Sequence, residues 1–170
     1  REYVTIHRGT VQGRGATRIG NQNLLMAYVH VAHDCQIGNG VVMANVATLG
    51  GHVVVEDFVN IGGLAAVQQF VRIGAYSFIG GKSAVVQDIP PYVIAAGDRA
   101  KLYGLNVVGL KRHDFSADLV ASLKKAFQIV IRSHLTVKEA IARVEKEIPL
   151  SPELSRFLDF IRDSQRGVPR

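Results

Sequence analysis

Aliphatic side chains recur at every sixth position between residues 19 and 85. Glycine directly follows many of them, and small or apolar side chains predominate four residues after each aliphatic position. A period of six fits neither the 3.6-residue repeat of an α-helix nor a heptad, but it fits a short strand followed by a corner. The aliphatic positions are Ile19, Leu25, Val31, Ile37, Met43, Leu49, Val55, Ile61, Val67, Ile73, Ile79 and Val85.

This period predicts a parallel β-helix built from hexapeptide repeats. Three strand-and-corner sides close one triangular coil of eighteen residues, and the aliphatic side chains point into a narrow core. Because stacked coils hydrogen-bond at a spacing of about 4.8 Å, each residue lies against the residue eighteen positions later. Pro90 and Pro91 end the repeat, since proline cannot donate a hydrogen bond to the ladder.

The first residues predict one more strand and an insertion. Val4 and Ile6 alternate with polar residues, which is typical of a strand, but Val4 does not join the register of Ile19 by multiples of six. The glycines around residue 14 mark the inserted residues as an exposed loop between coils. The chain begins with Arg1 rather than methionine, already in strand-like sequence, so we expect an N-terminal truncation.

After Gly97 the pattern becomes helical, with apolar residues three and four positions apart and a serine or threonine before each apolar stretch. Thr136 and Glu139 form a capping-box pattern. The fold class predicted is therefore an all-β solenoid over 1–97, followed by a C-terminal domain of three to four helices over 98–170. The predicted helices run from Ser116 to about His134, from Thr136 to about Pro149, and from Ser151 to Gly167.

Composition narrows the range of functions. Twenty basic and fourteen acidic residues give a net charge of +6 without a basic run. This balance suits an anionic substrate or an acidic partner and gives no indication of nucleic-acid binding. The single cysteine, Cys35, falls at an inward position of the repeat, so we expect a buried thiol and no disulfide. The lack of an internal disulfide is as expected for a cytoplasmic protein. No stretch is typical of a membrane span or a signal peptide.

The stacking rule predicts a cluster of three histidines. Residues eighteen positions apart form one column on the prism, and their sequence neighbours form the next column. His30 is three residues before His33 and is expected to reach the same surface. One column holds His33, Gly51 and Gln69, and its neighbour holds Asp34 and His52.

These residue types suit acyl transfer. Histidine can take a proton from an alcohol, and a carboxylate at its other ring nitrogen fixes the tautomer. A glycine one coil away can offer its backbone N–H to an oxyanion. With no serine or cysteine nucleophile in the cluster, direct attack of a substrate hydroxyl on an acyl group is favoured. Two alternatives stay open: a zinc hydratase of the carbonic-anhydrase type using His30, His33 and His52, and a noncatalytic trimeric scaffold.

The motif HVAHDCQIG, together with GGHVVVEDF, IGGLAAVQQF, QDIPPYVIAAGD and GLNVVGLKR, resembles the bacterial UDP-N-acetylglucosamine O-acyltransferase family of lipid A synthesis. The resemblance extends over the whole chain. It implies a left-handed parallel β-helix, a helical domain, and a homotrimer with active sites between neighbouring subunits. The implied reaction is transfer of a 3-hydroxyacyl chain from acyl carrier protein, a small acidic protein, to the 3-hydroxyl of UDP-N-acetylglucosamine, the first step of lipid A synthesis.

The resemblance also implies residue roles. His33 is the general base, Asp34 orients it, and the backbone N–H of Gly51 stabilises the oxyanion. The remaining positions bind substrates: His30 and His52 hold the sugar, His7 and Gln69 line the cleft for the nucleotide and acyl donor, and Asn106 and Arg112 meet the uridine and diphosphate.

Gly81 matches the floor of the family's acyl pocket, so a long acyl chain is predicted. No metal or other cofactor is implied beyond the carrier-bound thioester, which is a co-substrate.

Some features depart from the family pattern. The family commonly has histidine at the position of Gln68, an acidic residue at that of Val108, and a second arginine at that of His113. Several family coils that precede Arg1 would also be missing. The sibling N-acyltransferase of the same pathway is the nearest alternative, but the long helical domain favours the O-acyltransferase.

Overall fold

The computed structural model describes residues 1–170, and its first half consists of short strands separated by corners. Each of the first thirteen strands is two residues long. The strands are β1 Thr5–Ile6, β2 Arg18–Ile19, β3 Leu24–Leu25, β4 His30–Val31, β5 Gln36–Ile37, β6 Val42–Met43, β7 Thr48–Leu49, β8 Val54–Val55, β9 Asn60–Ile61, β10 Ala66–Val67, β11 Arg72–Ile73, β12 Phe78–Ile79, β13 Ala84–Val85, β14 Val93–Ala96 and β15 Lys101–Leu105.

These strands form the three sides of a triangular prism. The first sheet has the order β1-β4-β7-β10-β13, the second β2-β5-β8-β11, and the third β3-β6-β9-β12-β14-β15. All pairings are parallel except that of β14 with β15. Residues eighteen positions apart are partners, as His30 and Thr48 are, so the predicted parallel β-helix is confirmed.

The second residue of each strand from β4 to β13 is buried in the core of the prism, as the six-residue period predicts. At the corners the backbone turns through the left-handed region, which non-glycine residues seldom adopt. Asp34, His52 and Phe70 have φ values of 60°, 61° and 65° at one such corner. Because successive coils repeat this turn, their side chains lie one above another.

The predicted insertion is also confirmed. Thr5 pairs with His30, an offset of 25 residues rather than 18. The extra residues form the insertion loop, residues 9–17, between β1 and β2. This loop lies against the corner that joins the first and second sheets, through contacts between Thr10 and Asp34.

Three helix starts were predicted correctly. Side chains of Ser116, Thr136 and Ser151 accept hydrogen bonds from backbone N–H groups at the N-termini of α2, α3 and α4. The short helix α1, capped by Asn106, has too few turns to leave a clear period in the sequence. The helices are α1 Val107–Arg112, α2 Ala117–Arg132, α3 Val137–Glu147 and α4 Pro152–Arg162.

The last helix ends before the predicted Gly167 because the segment after it runs along the prism. The backbone N–H of Asp88 donates to the carbonyl of Gly167 at 3.0 Å, and Arg166 donates to the carbonyl of Val86 at 3.3 Å. These contacts form only when the helices pack on the β-helix, so local sequence does not reveal them.

The helices and the prism are closely joined. Strand β15, on the helical side of the predicted division at residue 97, pairs with β14 in the third sheet. Helix α4 packs against the second sheet, where Arg156 forms an ion pair with Glu56 at 2.8 Å. The division into 1–97 and 98–170 stays a prediction. None of the helices is long and apolar enough to cross a membrane.

Candidate active site

His33 and Asp34 lie together at the corner that follows β4. The Nδ1 atom of His33 is 2.9 Å from Oδ2 of Asp34, and the Asp34 side chain is fully buried while the His33 side chain is 39% exposed. Aspartate tolerates the left-handed backbone that the corner imposes. The predicted pairing of histidine and carboxylate is therefore present, and the His33 ring is partly open to solvent.

Asp34 is held in its ionised form. Burial by itself would raise its pKa, but hydrogen bonds from the hydroxyl and backbone N–H of Thr10, the hydrogen bond from His33 and the nearby His52 keep the pKa well below its usual value. The hydroxyl donates at 2.7 Å and the backbone N–H at 3.0 Å. An ionised Asp34 accepts a hydrogen bond from Nδ1–H of His33, which leaves the lone pair of Nε2 free to act as a general base.

Gly51 lies directly against the ring of His33. A Cβ atom at this position would be 2.6 Å from Cε1 and 2.7 Å from Nε2 of His33. The backbone N–H of Gly51 makes no hydrogen bond within the chain. This N–H belongs to the peptide bond between Gly50 and Gly51. The Gly50 carbonyl of the same peptide bond accepts a hydrogen bond from the buried thiol of Cys35 at 3.1 Å. A free base nitrogen and a free N–H donor are thus neighbours, as the stacking rule predicts.

His52 completes this corner. Its Nε2 is 3.9 Å from Oδ2 of Asp34, its ring meets that of His33 edge-on at 5.1 Å, and it stacks on Phe70 at 4.6 Å. The backbone N–H of His52 donates to the carbonyl of His33 at 3.0 Å, which fixes the two columns relative to each other. Gln69 is exposed at the same corner, one coil further along.

His30 and His7 form a separate pair beside this corner. Their rings meet edge-on at 4.7 Å, and Nδ1 of His30 is 2.7 Å from the hydroxyl of Thr5. Burial, followed by the charge of His7, lowers the pKa of His30. A neutral His30 with one ring nitrogen engaged by Thr5 has the other nitrogen left for a ligand.

The residues that could hold a metal differ from the set predicted for zinc. Ligand atoms of His33, Asp34 and His52 lie within 4.8 Å of one another, whereas His30 is outside this group. The Asp34 carboxylate already accepts hydrogen bonds from Thr10 and from His33. A cation there would have to displace these donors, so the chemistry of this donor set does not fit the predicted three-histidine site.

The two positions predicted to meet the nucleotide lie elsewhere, at the two ends of α1, beside the third sheet. Asn106 caps α1 and donates to the carbonyl of Tyr76 at 2.9 Å. It shares with Arg112 a groove of about 510 Å³. His113, from the same groove, packs on Phe58 and Tyr76 at the corner between the second and third sheets.

Gly81 lies at the remaining corner, between the third and first sheets. A Cβ there would be 3.1 Å from the carbonyl oxygen of Gly63, with only the backbone nitrogen of Gly63 otherwise within 4 Å. The exposed Gly81 therefore borders open space. A single chain places the base, the Asn106 groove and Gly81 at three different corners and does not assemble them into one site.

Thr10 and Thr5, which contact Asp34 and His30, were not predicted from the sequence. Both lie before β2, where the regular pairing at an offset of eighteen residues begins. The insertion loop changes the offset of the preceding strand to 25, so the stacking rule does not apply to them. The sequence feature that could have indicated them is the group of polar residues in and directly after β1. This strand belongs to the same sheet as His30.

Comparison with known proteins agrees with this architecture. Residues 16–51 match the model of the bacterial transferase hexapeptide family, described as six repeats, so the fold and its corner site define a hexapeptide-repeat transferase. Residues 88–169 match the family model described as UDP-N-acetylglucosamine O-acyltransferase, domain 2. The chain belongs to the UDP-N-acetylglucosamine O-acyltransferase family.

Individual relatives are similar over the whole chain. Proteins named acyl-carrier-protein–UDP-N-acetylglucosamine O-acyltransferase from Syntrophobacter fumaroxidans and Thermodesulfovibrio yellowstonii are 58% and 60% identical to it, and it covers 66% of each. The crystal structure of LpxA from Acinetobacter baumannii superposes with a TM-score of 0.96 at 40% identity, covering 100% of this chain and 66% of that one. The chain thus spans about 66% of the length of these relatives.

Proposed function

We propose that this protein transfers a 3-hydroxyacyl group from acyl carrier protein to the 3-hydroxyl of UDP-N-acetylglucosamine. The observation that carries the proposal is the arrangement of His33. Its Nδ1 is bound by buried Asp34, and its Nε2 lies against Gly51, whose backbone N–H makes no hydrogen bond within the chain. The names of the relatives, which specify this acyl transfer, support the choice of substrates.

The proposed reaction begins when Nε2 of His33 accepts the proton of the sugar hydroxyl. The hydroxyl oxygen forms a bond to the thioester carbonyl carbon, and the carbonyl oxygen becomes an oxyanion that the Gly51 N–H stabilises. Collapse of this intermediate breaks the carbon–sulfur bond. The departing thiolate takes the proton from the His33 imidazolium, while Asp34 holds Nδ1 throughout. The products are the O-acylated sugar nucleotide and the free carrier thiol.

We further propose that the working assembly is a cytoplasmic homotrimer. The Asn106 groove and the His33 corner are on different parts of one chain, so a neighbouring copy would have to bring its groove to the base. In this arrangement His30, His52, His7 and Gln69 of one copy bind the sugar and the acyl donor, and Asn106 and Arg112 of the next bind the nucleotide. The net charge of +6 favours an acidic carrier protein.

The proposed chemistry uses no metal or bound cofactor, because His33 and Asp34 supply the base and a backbone N–H supplies the oxyanion donor. The test is transfer from 3-hydroxyacyl carrier protein to UDP-N-acetylglucosamine, with and without a chelator, on this chain and on the chain extended to the length of its relatives. Transfer that survives chelation supports the proposal. Hydratase activity that chelation abolishes, with no transfer by either form, would overturn it.

Replacing Gly81 by methionine is expected to shift donor preference toward shorter acyl chains. A side chain at this corner projects into the open space that Gly81 borders. The measurement is kcat/KM for a series of acyl donors of increasing length, and we expect the preference between long and short donors to change by about tenfold or more, the scale set by a few methylene groups. The same preference in the variant and the unmodified chain would contradict an acyl pocket at Gly81.

A further inference from the structure

The insertion loop makes its closest contacts with a single residue, Asp34. The backbone N–H of Thr10 donates to both carboxylate oxygens, at 3.0 and 3.2 Å, and the Thr10 hydroxyl donates to Oδ2 at 2.7 Å. Thr17 accepts from the backbone N–H of Asp34 at 2.9 Å, and Arg14 donates to its carbonyl at 3.4 Å. The loop therefore binds Asp34 through its side chain and through both of its backbone polar groups.

The fit of the loop is close at Gly13 as well. A Cβ atom on Gly13 would be 2.6 Å from Oδ2 of Asp34 and 2.7 Å from the hydroxyl of Thr10. Only glycine leaves room there for the hydrogen bond between Thr10 and Asp34. The Thr10 hydroxyl thus donates to Oδ2 of Asp34, and Gly13 leaves the space that this contact needs. Oδ2 is also the oxygen that His33 contacts.

We propose that Thr10 is a positioning residue for acyl transfer: its hydroxyl and backbone N–H fix the carboxylate of Asp34 so that Oδ2 faces Nδ1 of His33. The kinetic consequences rest on the proposed function, whereas the effect on the His33 ring does not. No contact between Thr10 and the His33 ring is required, because Thr10 acts through Asp34.

The tautomer of His33 decides whether its ring can act as a base at Nε2. A neutral imidazole carries one proton, and it can act as a base at Nε2 only when that proton is on Nδ1. A fixed, ionised acceptor opposite Nδ1 selects this tautomer. If the hydroxyl of Thr10 is lost, one of the side-chain donors that orient the carboxylate is lost with it. The carboxylate is then held less firmly, by the backbone N–H of residue 10, and can turn part of the way from the ring. The Nε2–H tautomer, which has no lone pair at Nε2 for the substrate, becomes more populated.

The test uses a matched pair of variants. Thr10→Val keeps the branched shape but removes the donor, whereas Thr10→Ser keeps the donor but removes the methyl group. The tautomer of His33 is read from the ring nitrogen chemical shifts of ¹⁵N-histidine-labelled protein at alkaline pH, with His33→Gln used to assign the signals. We expect the Nε2–H tautomer to increase in Thr10→Val and to stay at the unmodified level in Thr10→Ser.

Kinetics add a second measurement. Thr10→Val should lower kcat for acyl transfer by about tenfold, less than the 10² to 10⁴-fold expected for loss of the base itself, and leave KM within about twofold. Thr10→Ser should restore kcat. Thermal unfolding identifies a variant that fails to fold. In that case Gly13→Ala, which retains the Thr10 hydroxyl but crowds Oδ2, is measured instead, and the same change in tautomer is expected.

An unchanged His33 tautomer in Thr10→Val, or in Gly13→Ala where that variant replaces it, overturns the inference. So does a loss of kcat that Thr10→Ser fails to restore. If the unmodified chain transfers no acyl group at all, the proposed function fails, but the tautomer measurement still decides the role of Thr10. The two failures are therefore distinguishable.

Discussion

Replacing His33 by alanine is expected to lower kcat/KM for acyl transfer by about 10² to 10⁴-fold, the usual range for loss of a general base. The structure gives the reason. Asp34 occupies Nδ1 of His33 at 2.9 Å, so Nε2 is the ring atom left to accept the substrate proton. The Cε1–Nε2 edge of the ring also lies against Gly51, as the proposed mechanism requires of the base and the oxyanion donor. Steady-state kinetics on carrier-bound 3-hydroxyacyl donors measure the effect.

The matched control for this variant is His134→Ala. His134 is exposed in the connection between α2 and α3, away from the prism corner, so its loss should leave kcat/KM within about twofold. Thermal unfolding should give similar midpoints for both variants. A folded His33→Ala protein that retains the activity of the His134→Ala control would eliminate His33 as the base and, with it, the proposed mechanism.

Replacing Gly51 by alanine keeps the backbone N–H but is expected to lower kcat by about 10² to 10³-fold, within the range for loss of a correctly placed general base. The added methyl group would be 2.6 Å from Cε1 of His33, a distance that real contacts do not reach, so the imidazole must move. Because the obstructing atoms belong to a partly exposed side chain, the ring can move without unfolding the coil. The activity should therefore fall much more than the stability does.

Gly104→Ala provides the comparison. A Cβ on Gly104, in β15, meets no atom within 4 Å, so this substitution should change neither kcat nor the unfolding midpoint appreciably. A crystal structure of Gly51→Ala should show the His33 ring displaced from its position against residue 51. An active Gly51→Ala enzyme with the ring in its original place would contradict the packing argument.

His33→Ala and Gly51→Ala both change the contact between the His33 ring and Gly51. His33→Ala removes the base and uncovers Gly51, whereas Gly51→Ala keeps the base and moves it. If both roles are correct, the double variant should be little worse than the more damaging single variant, because residues that act as a unit in one step are not additive. Additive losses would indicate that the two residues act independently.

The six-residue period was sufficient to predict much of this molecule. It gave the triangular coil, the buried aliphatic positions and the stacking of His33 against Gly51, because in a solenoid each residue's neighbours lie at a fixed sequence offset. The same offset placed Asp34 below His52. Local capping signals at Ser116, Thr136 and Ser151 likewise predicted three helix starts, since a helix cap depends on the residues beside it.

Contacts that cross an insertion or join distant parts of the chain were not predictable in this way. The loop containing Thr10 adds seven residues to its coil, so the eighteen-residue offset does not relate Thr10 to Asp34. Only the folded chain shows that this loop supplies hydrogen-bond donors to the Asp34 carboxylate. The groove formed by Asn106 and Arg112 depends on how α1 packs on the third sheet. The sequence by itself determined the periodic scaffold and the residues stacked on it. The tertiary structure decided which groups hold Asp34 and where Asn106 lies relative to His33, because both depend on packing between segments that no repeat connects.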